Sequence, residues 1–347
     1  MPASDTKVKR IFITGTAGFI GYHLAELLLA QGAQVQGYDG MTDYYDVSLK
    51  HRRHARLRRH PGFAATEAML EDAAALDAAI DSFAPDVIVH LAAQAGVRYS
   101  IDNPRAYIDA NIIGSFNVME AARRNHVQHL LMASTSSVYG ANTDMPYAET
   151  DKADTQMSFY AATKKATEAM GHAFAHLHGL PTTMFRFFTV YGPWGRPDMA
   201  YFKFTEAILA GRPIDIYNNG EMWRDFTYVA DLVRGISLLI DAVPQRPASP
   251  AEIEPGDSLS PVAPFRIVNI GNSEKVRLMD FIAAIETALG RKAAYNFMPM
   301  QQGDVPATWA DASLLQRLTG YKPHTGVGQG IGAFVAWYLE EFARSQT

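Results

Sequence analysis

The sequence predicts an α/β fold, a doubly wound parallel sheet carrying a smaller mixed α/β lobe. Three observations predict it. Strand-like apolar runs alternate with helix-like stretches through the first half, a glycine-rich turn follows the first run, and the alternation breaks at Gly192-Pro193-Trp194-Gly195-Arg196-Pro197. Alternation of this kind marks βαβ units, whose crossovers keep the strands parallel.

A first strand is expected over Arg10 to Thr14, its helix over Ile20 to Gln31 and a second strand over Gln34 to Tyr38. A long polar and helical region then leads to a strand at Val87 to Leu91. Further strands are expected at His129 to Ala133, Thr182 to Phe187 and Arg266 to Ile270, with helices around Ala106 to Asn125 and Phe159 to His178. Past Thr189, short strands and helices mix, as in a lobe that closes over the ligand edge of a sheet. The resulting division gives 1–186 and 226–272 to the sheet domain, 187–225 and 273–347 to the lobe. Residues 244–264, rich in Pro, Ser and acidic side chains, read as a surface loop. There is no internal repeat.

With 347 residues, 48% of them hydrophobic, the chain can bury one large core or two joined ones. A net charge of -5 gives no general attraction to phosphate polymers or anionic lipid, so any anion must be gripped locally and nucleic acid is not an expected partner. The absence of cysteine removes disulfides, zinc-thiolate sites and thiol nucleophiles together. The start, Met1 to Arg10, is polar, and no apolar run approaches the roughly 20 residues that cross a bilayer. The expectation is a cytoplasmic protein with no membrane partner.

Gly15-x-x-Gly18-x-x-Gly21 follows Ile11-Phe12-Ile13 directly and opens the helix that carries Leu24, Leu27 and Leu28. Glycines in this pattern permit a tight turn, let the backbone approach a pyrophosphate and allow close helix-to-strand packing, while the helix start offers unpaired N–H groups. Asp39 ends the second strand about 20 residues on, where a carboxylate accepts ribose hydroxyls and repels a 2'-phosphate. The prediction is a Rossmann-type sheet that binds NAD rather than NADP, with no metal.

Tyr160 and Lys164 stand four apart on a helix, on one face. A free phenol has a pKa near 10, so taking a hydroxyl proton at pH 7 needs a depression of roughly 3 units, which a neighbouring cation in a dry site can supply. Such pairs are common on helices, but a second segment sharpens the reading. Ser134-Thr135-Ser136-Ser137-Val138-Tyr139-Gly140 follows a strand end, so its hydroxyls emerge at the carboxyl edge of the sheet, where open α/β sheets bind ligands.

With these four features in order, the chain resembles the extended short-chain dehydrogenase/reductase superfamily over nearly its whole length. Within it the chain is similar to the UDP-glucuronate 4-epimerases, through Phe12 to Gly21, Asp43 to Lys50, His90 to Ser100, Ser134 to Gly140, Tyr160 to Lys164, Arg186 to Met199 and Arg224 to Val229. The resemblance implies that Thr135, Tyr160 and Lys164 are catalytic, and that Phe19, Ile20, Leu91, Ala92 and Ala93 join the glycines and Asp39 around NAD. It implies that Arg98, Ser136, Ser137 and Arg224 meet a UDP-sugar and that Asn111 braces a helix beneath the site. Related dehydratases carry an acidic pair at Ser136 and Ser137, and related decarboxylases a Glu at Ser137, because elimination needs a general acid and base. Hydroxyls at both positions favour simple oxidation and reduction at C4. Thr189, where many relatives have Asn, together with Arg196, points to a sugar carboxylate held by a guanidinium fork.

The expected reaction is therefore 4-epimerisation of UDP-glucuronate through a 4-keto sugar. The alternatives are a neutral UDP-hexose 4-epimerase, a decarboxylase, and a non-catalytic NAD-responsive binding protein. A homodimer through the helices near 106–125 and 159–178 is implied by resemblance alone. Met69 stands where relatives place an Asp that contacts adenine; a thioether accepts an amine only weakly. The basic run His51 to His60 reads as a solvated helix, and His172, His176 and His178 as surface or interface residues.

Overall fold

The computed structural model describes residues 8–301 and 305–342, which leaves most of the polar start and the last residues of the lobe outside the described residues. Strands β1 (Arg10–Thr14), β2 (Gln34–Asp39), β3 (Phe63–Glu67), β4 (Val87–His90), β5 (His129–Thr135), β6 (Thr182–Phe187) and β7 (Phe265–Ile270) form one sheet. Its order is β7-β6-β5-β4-β1-β2-β3, and every neighbouring pair is parallel. The doubly wound expectation holds. The order reverses between β1 and β4, which opens a crevice at their carboxyl ends.

The central strands are apolar and buried along their length, as strands covered on both faces must be. Side chains alternate between the two faces: Ile11 and Ile13 join one core cluster and Phe12 the other. Strand β3 has no counterpart among the expected strands. It lies at the sheet edge, and its Ala-Ala-Thr-Glu run is only partly buried, so no continuous apolar stretch announces it.

Five helices position the cleft and its surroundings. They are α1 (Phe19–Ala30), α2 (Val47–Leu57), α3 (Ala73–Phe83), α4 (Ser115–Arg124) and α5 (Phe159–His178). Side-chain oxygens of Asp46, Asp72 and Ser158 cap α2, α3 and α5, each accepting an otherwise unpaired N–H of the first turn. The helix expected from Ala106 is present but changes pitch: Ile108–Gly114 is π-helical and runs on into α4. Asn111 lies in that wide turn, buried, and donates to Gln94 O at 3.1 Å and Thr163 Oγ1 at 3.0 Å. It ties the loop after β4 to α5, the kind of site where such bulges recur.

The basic run is not wholly solvated. On α2, Arg53 and His54 are fully buried while Arg56 is exposed, so the helix turns one cationic edge inward. His172 pairs with Ser260 Oγ at 2.8 Å and His176 donates to Val262 O at 2.9 Å, and these contacts hold the 244–264 loop against α5. Three short sheets also form among the described residues. Thr189–Tyr191 pairs with Phe226–Tyr228, Trp223–Arg224 lies between Val276–Arg277 and Ala307–Thr308, and Ile214–Ile216 pairs with Tyr295–Phe297. Among the described residues, no helix is long and apolar enough to cross a membrane.

Candidate active site

The turn after β1 is shaped by its glycines. Gly15 has φ +81°, and a Cβ there would stand 2.8 Å from Ala92 N, so the turn lies against the loop after β4. A Cβ on Gly21 would collide with the carbonyl oxygen of Gly15. The bare backbone leaves a cradle at the start of α1, the fit a pyrophosphate requires. Asp39 closes its far side, accepting from Ala17 N and Met41 N, each at 2.9 Å. Beneath, Thr14 Oγ1 accepts from Leu91 N and Ala92 N at 3.1 Å and pairs with His90 Nδ1 at 2.8 Å. His90 reaches Ser115 at 3.0 Å through its other nitrogen. Burial pushes His90 down to about 3, so its ring is neutral and acts as a fixed bridge between strand ends and α4.

A cleft of about 1250 Å³ opens above this turn. Its walls include every residue singled out from the sequence as a contact: Gly15, Gly18, Phe19, Ile20, Gly21 and Asp39; Leu91, Ala92, Ala93 and Arg98; Thr135, Ser136, Ser137, Tyr160 and Lys164; and Thr189, Arg196 and Arg224.

At the end of β5, Thr135 Oγ1 accepts from Ser137 N at 3.2 Å and lies 3.3 Å from Ser137 Oγ. The Tyr160 phenol hydrogen-bonds Thr135, and its ring meets that of Tyr107 edge-on at 6.0 Å. Lys164, buried, donates to Ala133 O at 3.0 Å. Burial pushes the Lys164 ammonium down to about 8. Burial also raises the Tyr160 phenol above its ordinary value, against the Thr135 hydrogen bond and the charge of Arg196, which both lower it. Lys164 spends its ammonium on a backbone carbonyl, and the cation that acts on the phenol is Arg196.

Arg196 itself is paired side-on with Asp198, Nε to Oδ1 at 3.0 Å and Nη2 to Oδ2 at 2.5 Å. Arg224 donates to the carbonyls of Trp223, Val305 and Pro306 at 2.8, 2.7 and 3.2 Å, which fixes it at the cleft rim. Arg98 lies over the Tyr217 ring at 4.9 Å, across the cleft.

The sequence profile of the NAD dependent epimerase/dehydratase family matches residues 11–251. The chain belongs to this family.

Relatives of this epimerase/dehydratase chain include a protein of Rhizobium meliloti (strain 1021) named "Probable UDP-glucuronate 4-epimerase". That protein is 56% identical over 338 residues, spanning 97% of this chain and 99% of the relative. UDP-glucuronate 4-epimerase 4 of Arabidopsis thaliana is 43% identical over 96% of this chain and 76% of its own length. The crystal structure of UDP-glucuronic acid 4-epimerase from Bacillus cereus, in complex with UDP-glucuronic acid and NAD, superposes with a TM-score of 0.84. It is 29% identical and covers 96% of this chain and 100% of that one.

Sequence reasoning missed the buried base of the epimerase/dehydratase site. Glu168 takes Arg186 in a two-pronged pair, both contacts 2.9 Å, and accepts from Ser134 Oγ at 2.6 Å. Burial pushes the Glu168 carboxyl up, but Arg186 outweighs it and leaves the group below its usual range. A signal was present: Tyr160, Lys164 and Glu168 repeat at four-residue spacing on one face of α5. Arg53, which meets the glycine turn from below, gave no such signal within a run of basic residues.

Proposed function

We propose that this chain is an NAD-dependent epimerase that inverts C4 of UDP-glucuronate to give UDP-galacturonate through a 4-keto sugar. The observation that carries the reading is the convergence of Thr135, Tyr160 and Lys164 beside the glycine cradle, in one cleft with Arg196. The curated relatives named UDP-glucuronate 4-epimerases support it.

NAD fits the cradle because Gly15, Gly18 and Gly21 line the cleft at the start of α1 without side chains, with Asp39 for the ribose and Leu91, Ala92 and Ala93 along the wall. When bound, it supplies reversible two-electron redox chemistry at C4. The chain's own work is proton transfer and positioning. Tyr160 removes the proton of the 4-hydroxyl, Thr135 holds the same oxygen, and both return the proton when the sugar is reduced from its opposite face. Arg196 favours the phenolate that this needs. Lys164 anchors α5 to β5 through Ala133. Ser136 and Ser137 offer hydroxyls and no carboxylate, so the elimination chemistry of a dehydratase lacks its acid and base. Arg224, with Arg98, holds the diphosphate while the sugar turns, and Thr189 with Arg196 takes the C6 carboxylate.

One observation favours a second reading. The Nε and Nη2 edge of Arg196 is already engaged by Asp198, which lessens its hold on a sugar carboxylate and would suit a neutral UDP-hexose. Incubation with UDP-glucuronate and separation of products decides. UDP-galacturonate supports the proposal; a pentose with carbon dioxide, or no change in UDP-glucuronate while UDP-glucose is epimerised, overturns it.

With this function, residues 1–186 and 226–272 form the cofactor domain, and 187–225 with 273–347 the substrate lobe. The enzyme is cytoplasmic and pairs as a homodimer through the 108–114 stretch, α4 and α5, where Ile113, Phe116 and Leu177 lie exposed.

A further inference from the structure

Three consecutive carbonyls of the loop before Arg196 point toward α1 and α2. Pro193 O accepts from His23 Nε2 at 2.8 Å, and Trp194 O and Gly195 O accept from Arg53 Nη2 at 2.6 and 3.1 Å. The other terminal nitrogen of Arg53 donates to Ala17 O at 2.7 Å and to the Tyr45 hydroxyl at 2.8 Å. Ala17 lies within the glycine turn, and its own N–H donates to Asp39. One fully buried guanidinium thus joins the turn that holds a pyrophosphate to the loop that carries Arg196.

Two features argue that this is more than packing. The four oxygens that Arg53 meets are neutral, and a buried charge balanced only by neutral acceptors is costly where an apolar side chain could fill the space. Trp194, which Arg53 grips, has φ +57°, a left-handed backbone that a bulky residue adopts only when its surroundings force it. Those surroundings are helical: Arg52 and Arg56 lie over its ring at 5.2 and 5.3 Å, and Tyr22 approaches at 5.6 Å. Strain held two residues before Arg196 sets where that side chain enters the cleft.

We propose that Arg53 is a positioning residue that couples the two halves of the site, so that an occupied glycine turn favours the arrangement of 192–197 that receives the sugar, and the reverse. The inference rests on the function proposed above and adds to it a linkage between cofactor and substrate binding. Such linkage is reciprocal by thermodynamic necessity.

The test is a binding cycle on the full chain freed of nucleotide, with NAD and UDP-glucuronate titrated alone and together by calorimetry. In the wild type, each ligand is expected to tighten the other by about fivefold or more, within the range common for coupled sites. Arg53→Lys keeps the charge but cannot span four acceptors, so the factor is expected to fall below about twofold while each ligand still binds alone. Tyr45→Phe, which withdraws one acceptor and leaves the charge, is expected to at least halve the factor and carries the test should Arg53→Lys not fold. An unaltered factor in either folded variant, or no coupling in the wild type, overturns the inference alone. Failure of UDP-glucuronate to bind the wild type overturns the substrate reading and this inference with it.

Discussion

Arg196 and Asp198 grip each other side-on within the cleft, and the same arginine lowers the pKa of Tyr160. Its charge therefore serves two ends, a carboxylate partner and a phenol. Arg196→Ala is expected to reduce kcat/KM for UDP-glucuronate by about 10- to 100-fold, the worth of a charge-assisted hydrogen bond of 1.5–3 kcal/mol. Part of that loss, from the less acidic phenol, falls equally on UDP-glucose; the remainder falls on the uronate alone. Parallel kinetics on both substrates measure the split, and identical losses would remove Arg196 from carboxylate recognition.

Tyr160→Phe deletes the proton acceptor and leaves the ring that packs on Tyr107. A fall in kcat of about 10²- to 10⁴-fold is expected, with NAD content and circular dichroism unchanged. Turnover within tenfold of wild type would assign the base elsewhere.

Lys164 is held at about 8, below the ordinary 10.5. Between those values the unfolded chain binds the proton that the folded chain has lost. This group therefore makes stability rise with pH from about 8 to 10.5 and is a penalty below that window. Lys164→Met removes the penalty. At 1.36 kcal/mol per unit the gain is about 3 kcal/mol, less about 1 kcal/mol for the lost bond to Ala133. Urea unfolding at pH 7 is expected to find the variant more stable and inactive, with the advantage shrinking toward pH 10.5. A variant less stable than wild type at pH 7 would contradict the burial of an ammonium there.

Met69, partly exposed on the cleft wall beyond Asp39, offers a thioether where an amine of adenine would look for an acceptor. The hypoxanthine analogue of NAD, which lacks that amine, is expected to bind within about threefold of NAD. In Met69→Asp, NAD should gain a preference of about 10- to 100-fold, the worth of a hydrogen bond to a charged acceptor. Titration of the nucleotide-free chain with both compounds checks this, and strong wild-type discrimination would disprove it.

The sheet was legible because β1, β4 and β5 each carry a run of three or more apolar residues and because the glycine turn marks the passage from strand to cofactor helix. The edge strand β3 was not, since half-exposed strands need no apolar pattern. Cleft residues were legible where chemistry restricts the residue type, as at Gly15, Asp39 and Tyr160. Arg53 and Glu168 escaped because their importance lies in burial, and a charged residue in a sequence carries no sign that the fold will close over it. The raised phenol of Tyr160 escaped for a related reason: spacing placed Lys164 on the same helix face, but only coordinates reveal that its ammonium is aimed at Ala133.

Gly15 lies so near Ala92 that the floor of the groove is main chain, not side chain. A side chain introduced at Gly15 would run into that main chain, so the turn holds its shape only with glycine there. An attempt to redirect this enzyme to another nucleotide sugar should therefore vary the side chains of the cleft that face the sugar, Ser136, Ser137, Thr189 and Arg196 among them, and leave the glycine turn alone.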